Sequence, residues 1–226
     1  MRAHGAVASL ALGRQVADAA LDDSLDPEAH PRLASILRFV AKLTRDPGGV
    51  KAADLDPLRL SNLSDDAILD AVAVCAGFNM IVRAADALAF APPDPEELRK
   101  GARFLLGFGY TAASGVWLRM PRRYHGSKTL QYQTAFNDLR RSIWESAGSL
   151  PPAVRRSASA GTGVPEPLLG YARTVLRNAL EVSDADIDLL QRAGYTEDKI
   201  FEATLSAAVG AAVIRLDAGM AALGRS

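Results

Sequence analysis

Four side chains that could do chemistry, Cys75, Asn79, Arg83 and Asp86, lie close together within one apolar stretch of the sequence. On an α-helix, at about 100° per residue, they fall within roughly 80° of one another and form a polar stripe along one face. Arg83 can bind an anionic or carbonyl oxygen of a substrate, Asp86 can orient it, and Asn79 can donate a hydrogen bond. Cys75 is then a candidate nucleophile or peroxide-sensitive thiol.

The segment that carries this stripe recurs later in the chain. SDDAILDAVAVCAGFNMIVRAADALAF at 64–90 aligns without a gap with TEDKIFEATLSAAVGAAVIRLDAGMAA at 196–222, 132 positions later. Each copy begins with a hydroxyl residue suited to cap a helix, and acidic residues and a mostly apolar run follow. The same offset extends back to Leu37 and Leu169. The sequence therefore predicts a duplicated three-helix unit, made of a helix, a short acidic helix and a long apolar helix.

A structural role for the polar stripe is the alternative. Cys75 can be a small buried hydrophobe, Arg83 and Asp86 can pair at i,i+3, and Asn79 can bond to neighbouring backbone. Of the four stripe positions only the arginine recurs in the second copy, because the equivalents are Ala207, Ala211, Arg215 and Ala218. Two recurring arginines call for a shared partner, so we expect ion pairs between Arg83 and Glu202 and between Arg215 and Asp70.

The composition, with many Ala and Leu and few aromatic residues, predicts an all-α fold packed as an antiparallel helical bundle. We expect a helical extension at 1–31, a first repeat with a following helix at 32–106, and a second repeat at 167–226. Residues 107–166 form a connector with one helix, predicted at Thr134 to Ser146, and a basic loop at 119–128. The two repeats together form one compact domain.

Several classes of function are disfavoured by the composition. The single cysteine excludes a dithiol within one chain, and neither a metal nor a cofactor is expected. A formal net charge of zero gives no pull toward nucleic acid. The apolar runs at 71–82 and 203–214 are about twelve residues long, too short to cross a bilayer. We expect a cytoplasmic protein, with His125 a solvated side chain of the basic loop.

Two segments, FNMIVRAADAL at 78–88 and VSDADIDLLQRAGYTEDKIFEATLSAAVGAAVIRLDAG at 182–219, resemble the superfamily of alkylhydroperoxidase D-like and carboxymuconolactone decarboxylase-like proteins, which are often described as peroxidase-related. The first resemblance is carried by Phe78, Asn79, Arg83, Ala85 and Asp86, and the second by Asp184, Asp186, Gly194, Tyr195, Ile200 and Glu202. Together they cover about half of the chain.

This resemblance implies antiparallel helices that assemble into homo-oligomers, from dimers to hexamers. For the redox-active members it also implies a Cys-x-x-Cys pair followed by a histidine, from which this chain departs because it has no second cysteine. Three hypotheses therefore remain: a peroxidase-related activity of Cys75 alone, a non-catalytic oligomerising or scaffold protein, and acid-base chemistry on a small carboxylated substrate by Arg83 and Asp86.

Overall fold

The computed structural model describes residues 9–10, 12–22, 24–91, 94, 96–97, 100 and 126–225. Every regular element in these ranges is helical, which confirms the predicted all-α class. The helices traced from end to end there are α1 (Arg14–Leu21), α2 (Pro31–Arg45), α3 (Asp56–Leu60), α4 (Asp65–Ala87), α5 (Lys128–Trp144), α6 (Pro152–Ala160), α7 (Leu168–Asn178), α8 (Asp184–Arg192) and α9 (Glu197–Ala222).

The chain divides into two compact units. The first takes Met1–Arg38 and Ala91–His125, and the second takes Phe39–Phe90 and Gly126–Ser226. In the described part of the first unit, α1 buries Ala17, and the beginning of α2 buries Ala34 and Ser35. Most of the predicted helix after Asp94 and all but the last residues of the predicted basic loop lie outside the described residues. The second unit contains the end of α2, from Phe39 onward, and all of α3 to α9.

The second unit is built on its two longest helices, α4 and α9. The side-chain oxygens of Ser64 and Thr196 accept hydrogen bonds from the main-chain N–H three residues later, and acidic residues occupy the first turn of each helix. These caps satisfy N–H groups that would otherwise lack partners. The apolar runs then bury one side of α4 and almost the whole central length of α9.

Helices α4 and α9 pack most extensively against each other and run in opposite directions. Val72, near the start of α4, contacts Gly219, near the end of α9, where a Cβ would come within 2.5 Å of the valine side chain. Arg225, just after α9, bonds to Asp66 in the first turn of α4. Gly219 is therefore required by the close approach of the two helices.

The helical segments of the first half of the chain, residues 37–90, recur in the second half, residues 169–222, at one constant sequence offset. The short 3-10 segments Pro47–Gly49 and Ala179–Glu181 are 132 positions apart. The same spacing separates the segment 52–60 from α8, and the first residue of α4 from that of α9. The turns that precede the long helices also agree, because Asn62 and Gly194 both adopt a positive φ, 59° and 88°.

The connector between the halves differs from the prediction. Helix α5 begins at Lys128, because Ser127 caps it by accepting a bond from the main-chain N–H of Leu130. A second connector helix, α6, was not predicted, although Pro152 at its first position and Gly161 in the left-handed conformation after its end are typical helix boundaries. Helix α6 packs against α9.

Helices α4 and α9 are long and apolar enough to span a membrane by length and composition alone, with 23 and 26 residues and mean hydropathies of 1.6 and 1.4. Core helices of globular proteins also meet these criteria, and 44% and 67% of the two apolar windows are buried inside the protein. The expectation that neither helix crosses a membrane was based only on the length of the central apolar runs at 71–82 and 203–214. It stays a prediction.

Candidate functional site

Three residues of the predicted stripe, Cys75, Asn79 and Arg83, lie on the buried side of α4. Their spacing of four positions brings them into one row, and the end of α2 lies against this row at Thr44. The Thr44 hydroxyl is 3.3 Å from the Cys75 Sγ and accepts a hydrogen bond of 3.2 Å from the Asn79 Nδ2. Thr44, which the sequence analysis missed, is therefore the residue that joins the cluster.

Asn79 has its hydrogen-bonding capacity used within the protein. Its Nδ2 donates to the Cys75 carbonyl oxygen at 2.9 Å and lies 3.4 Å from the Cys75 Sγ. Its Oδ1 accepts a bond from the Arg83 Nη1. Both ends of the amide are thus engaged, so the substrate-binding role predicted for Asn79 would require these bonds to break.

The two recurring arginines bond to the ends of helices rather than to the predicted carboxylates. The Arg83 Nε donates to the Leu176 carbonyl at 3.1 Å and its Nη2 donates to that of Arg177 at 3.4 Å, both in the last turn of α7. The Arg215 Nη2 donates to the Thr44 carbonyl in the last turn of α2. Because the last carbonyls of a helix have no partner within it, cations are favourable there.

These two contacts are equivalent in the two halves. Leu176 lies 132 positions after Thr44, the same separation as between Arg83 and Arg215, so each arginine binds the first helix of the opposite half. Each also donates to the carbonyl four residues earlier on its own helix, that of Asn79 or Ala211. The shared partner of the recurring arginines is therefore a helix end, which explains their recurrence without a substrate.

Both guanidinium groups are buried, and in the described part of the chain neither forms an ion pair. Burial lowers the pKa of Arg83 below its ordinary value. Burial, together with the neighbouring positive charge of Arg83, lowers the pKa of Arg215 to about 10. The Nε of Arg215 is buried and has no hydrogen-bond partner among the described residues. The like charges oppose each other across the core, and main-chain carbonyl groups solvate them.

The Cys75 thiol is shielded from solvent, with 7% of the residue exposed. Burial raises its pKa above the ordinary value, although the Thr44 hydrogen bond and the charge of Arg215 act in the opposite direction. The thiolate is the nucleophilic form of cysteine, so a raised pKa and poor access both slow its reactions. The geometry therefore supports a structural thiol and gives little support to the predicted nucleophile.

Asp86, the fourth residue of the predicted stripe, is separated from the other three. It lines a groove on the surface of the second unit, where the end of α4 meets the beginnings of α8 and α9. In the described part of the chain, the Arg83 guanidinium donates its hydrogen bonds to Asn79 and to the end of α7. The predicted substrate pair of Arg83 and Asp86 is not assembled, because one side chain is in the core and the other lines an open groove.

The carboxylates predicted to pair with the arginines also have other partners. Asp70 accepts bonds from the Lys128 Nζ at 2.6 Å and the Tyr132 hydroxyl at 2.8 Å, which hold α5 against α4. Although burial acts to raise the pKa of Asp70, these two bonds lower it below its ordinary value. Burial, and after it the hydrogen bond to Asp70 and its charge, raises the pKa of Tyr132 to about 12.

Glu202 binds the loop before α6. Its carboxylate accepts main-chain hydrogen bonds from Ser149 at 2.6 Å and Leu150 at 2.8 Å. Its nearest cation is the Arg155 Nε at 4.0 Å, rather than Arg83. A Cβ at Gly148 would come within 2.7 Å of this carboxylate, so the loop needs glycine there. The role of Glu202 is to fix the loop that leads into α6.

The remaining sequence candidates add no site in the described part of the chain. His125 and the arginines of the basic loop lie outside the described residues. Within the described ranges, no group of three or more His, Cys, Asp or Glu side chains is arranged to hold a metal ion. No family model matches the chain, nor does any curated protein or solved structure. The case for a function therefore rests on the contacts and surfaces of the second unit.

Proposed function

We propose that the protein is a non-catalytic, self-associating helical module, made of a duplicated three-helix unit of the alkylhydroperoxidase D-like type that lacks the dithiol. In this proposal the polar stripe of α4 stabilises the core, and the outer face of α4 binds a second copy of the chain. A cytoplasmic location is part of the proposal, since the free thiol of Cys75 suits a reducing compartment.

The exchange of arginine contacts between the halves supports the duplication. A substrate-binding arginine would be needed in only one copy, whereas Arg83 and Arg215 perform the same task at equivalent helix ends. The structural use of Asn79 and the shielding of Cys75 argue in the same direction. A one-cysteine peroxidase would need an accessible Cys75 thiol, and the acid-base reaction would need Arg83 free to bind the substrate beside Asp86.

The proposal of self-association rests on one observation, the exposed apolar face of α4. Val74 and Ile81, two turns apart on this face, are 57% and 55% exposed. Gly77 and half-buried Phe78 lie between them on the same face. Exposed apolar side chains that are aligned in this way commonly mark a contact with another protein surface.

The equivalent face of α9 indicates what kind of element can pack on such a surface. The position equivalent to Val74 is Ser206, which is fully buried, and the one equivalent to Phe78 is Gly210. Gly210 packs against the main chain of α6 at Ser159. The face that a helix covers on α9 is thus exposed on α4. A two-fold contact between two α4 helices would bury it on both copies at once, which makes a dimer the simplest assembly in the expected range up to a hexamer.

The test is the mass of the particle in solution, measured by light scattering after gel filtration. The wild-type chain should exceed the 24.0 kDa of a monomer, and the double variant Val74→Glu/Ile81→Glu should elute as a monomer with unchanged helical content. Leu60→Glu is the matched control, because Leu60 is 84% exposed on α3 and should not alter the mass. A monomeric wild-type protein, or a double variant that stays associated, would refute self-association through this face.

The absence of catalysis is tested separately. Consumption of an organic hydroperoxide in the presence of a thiol reductant should be the same for the wild type and Cys75→Ser. A rate that is well above background and is lost in Cys75→Ser would replace the non-catalytic proposal with a one-cysteine peroxidase.

A further inference from the structure

The groove that contains Asp86 has the size and lining of a small-molecule site. It has a volume of about 340 Å³ and lies entirely within the second unit. Its base is apolar, with buried Ala87 and Ile200 and half-buried Ile187. Phe201, which is 46% exposed, presents an aromatic ring at the groove. Small-molecule sites in proteins combine such an apolar base with a few polar groups.

The polar groups around this groove are predominantly acidic. Asp86, Asp184 and Glu197 line it, together with Ser183 and Gln191, and no basic side chain is among its lining residues. In the described part of the chain, none of the three acidic side chains forms an ion pair. The groove therefore complements a positive charge and repels a carboxylate, which argues against the small carboxylated substrate considered for this protein.

Asp86 is the informative member of the three. Asp184 and Glu197 stand in the first turns of α8 and α9, where an acidic residue stabilises a helix. Asp86 stands in the last turn of α4, where a negative charge is unfavourable beside the partial negative charge of the helix end. The equivalent residue of the second half is Ala218. The charge of Asp86 acts to raise the pKa of the buried Arg83, but Arg215 in the second half is buried without a carboxylate at the equivalent position, so the fold does not require an acid at position 86.

We propose that this groove binds a small organic cation that has an apolar group, of the arylalkylammonium class. The ammonium group lies among the carboxylates of Asp86, Asp184 and Glu197, and the apolar group covers the base of the groove beside Phe201. An exposed aromatic face adds cation–π attraction to the charge of the carboxylates. This site is independent of the association through the outer face of α4.

The probe is phenethylammonium, titrated into the isotope-labelled full chain and followed by amide chemical shifts. We expect saturable shifts confined to the end of α4 and the beginnings of α8 and α9. Asp86→Asn should weaken binding by about threefold to fivefold, the factor typical of one exposed ion pair. The matched control is Asp198→Asn, which removes the same charge from an exposed first-turn residue of α9 outside the groove lining and should leave the affinity unchanged.

Two further ligands separate charge recognition from apolar binding. 3-Phenylpropionate has a similar shape and the opposite charge, and it should give no saturable shifts. Tetramethylammonium has the charge without the aryl group and should bind more weakly than phenethylammonium. The proposal is overturned if phenethylammonium gives no shifts at the groove at millimolar concentrations, if Asp86→Asn binds it as tightly as the wild type does, or if 3-phenylpropionate binds equally well.

Discussion

Arg83 and Arg215 are like-charged neighbours in the core of the second unit, and each donates to the end of a helix in the opposite half. Their mutual repulsion is visible in the pKa of Arg215, which burial and the charge of Arg83 bring down to about 10. The protein retains this unfavourable pair because main-chain carbonyls that have no other helical partner accept hydrogen bonds from both side chains. Mutation of the two arginines can separate the stabilisation by these hydrogen bonds from the repulsion between the two charges.

Arg83→Met and Arg215→Met should each destabilise the protein by about 1–3 kcal/mol, because each leaves helix-end carbonyls without a donor. Arg83→Met should cost more, since Arg83 makes four hydrogen bonds and Arg215 makes two. The double variant should lose more stability than the two single losses added together, because each single variant already gains relief from the repulsion and the double variant can gain that relief only once. Denaturant unfolding of the four proteins measures this, and strictly additive losses would contradict the coupling.

Gly210→Ala should destabilise the protein by about 1–3 kcal/mol, because overpacking forces backbone to move. A Cβ at this position would lie 2.0 Å from the Ser159 carbonyl oxygen, an atom of the α6 backbone. Gly77→Ala is the matched control, since a Cβ there meets nothing within 4 Å and Ala favours a helix. Because Gly77 lies on the proposed association face, both glycine variants are made in the monomeric Val74→Glu/Ile81→Glu background. The control should unfold at the same or a higher denaturant concentration than the wild type, and an equal loss in both variants would contradict the proposed close packing.

Cys75 should react with iodoacetamide far more slowly in the native protein than in the unfolded chain, because the thiol is buried and its pKa is raised. The raised pKa also sets a pH dependence. Above the ordinary value of 9.0 the unfolded chain loses the thiol proton more readily than the folded protein, so the contribution of Cys75 to stability falls as the pH rises. In Cys75→Ala this part of the alkaline loss should be absent. Rapid alkylation at neutral pH, or a sulfenic acid at low peroxide, would point to a reactive thiol.

Asp70→Asn should remove part of the acid sensitivity of the protein. The pKa of Asp70 in the folded state lies below the ordinary value of 3.8 because Lys128 and Tyr132 donate to the carboxylate, although burial acts against them. The contribution of Asp70 is therefore complete above that value and is lost as the pH falls through the lower, folded-state pKa. The difference in unfolding free energy between the wild type and Asp70→Asn should shrink across this acid range. A difference that stays constant across this range would contradict the prediction.

The long helices could be predicted from local signals. Ser64 and Thr196 cap α4 and α9 as expected, and the apolar runs that follow form the centre of the second unit. Local signals were also sufficient for α6, which was not predicted because the connector at 107–166 was expected to contain only one helix. Its first proline and the glycine after its last turn mark the boundaries of a helix.

The partners of the buried side chains could not be predicted in the same way. Arg83 and Arg215 bind main-chain oxygens, which every residue has, so residue type does not reveal the acceptor. The repeat offset carried the missing information, because Thr44 and Leu176 are themselves an equivalent pair. The angle of Asp86 on an ideal helix places it in the same polar stripe as Cys75, Asn79 and Arg83. In the structure it stands in the last turn of α4 and lines the groove, whereas the other three are buried.

The exchange of arginines between the halves also constrains the order in which this protein can complete its fold during synthesis. Thr44 leaves the ribosome long before Arg215, so the end of α2 lacks its donor until almost the whole second half has been made. Arg83, by contrast, is already present when Leu176 emerges and can bind the end of α7 at once. Because each first helix depends on a long helix of the other half, neither half acquires its complete set of contacts alone. We expect the two halves to reach their stable form together, late in translation, and a ribosome stalled before residue 215 to hold a chain that is more sensitive to proteases.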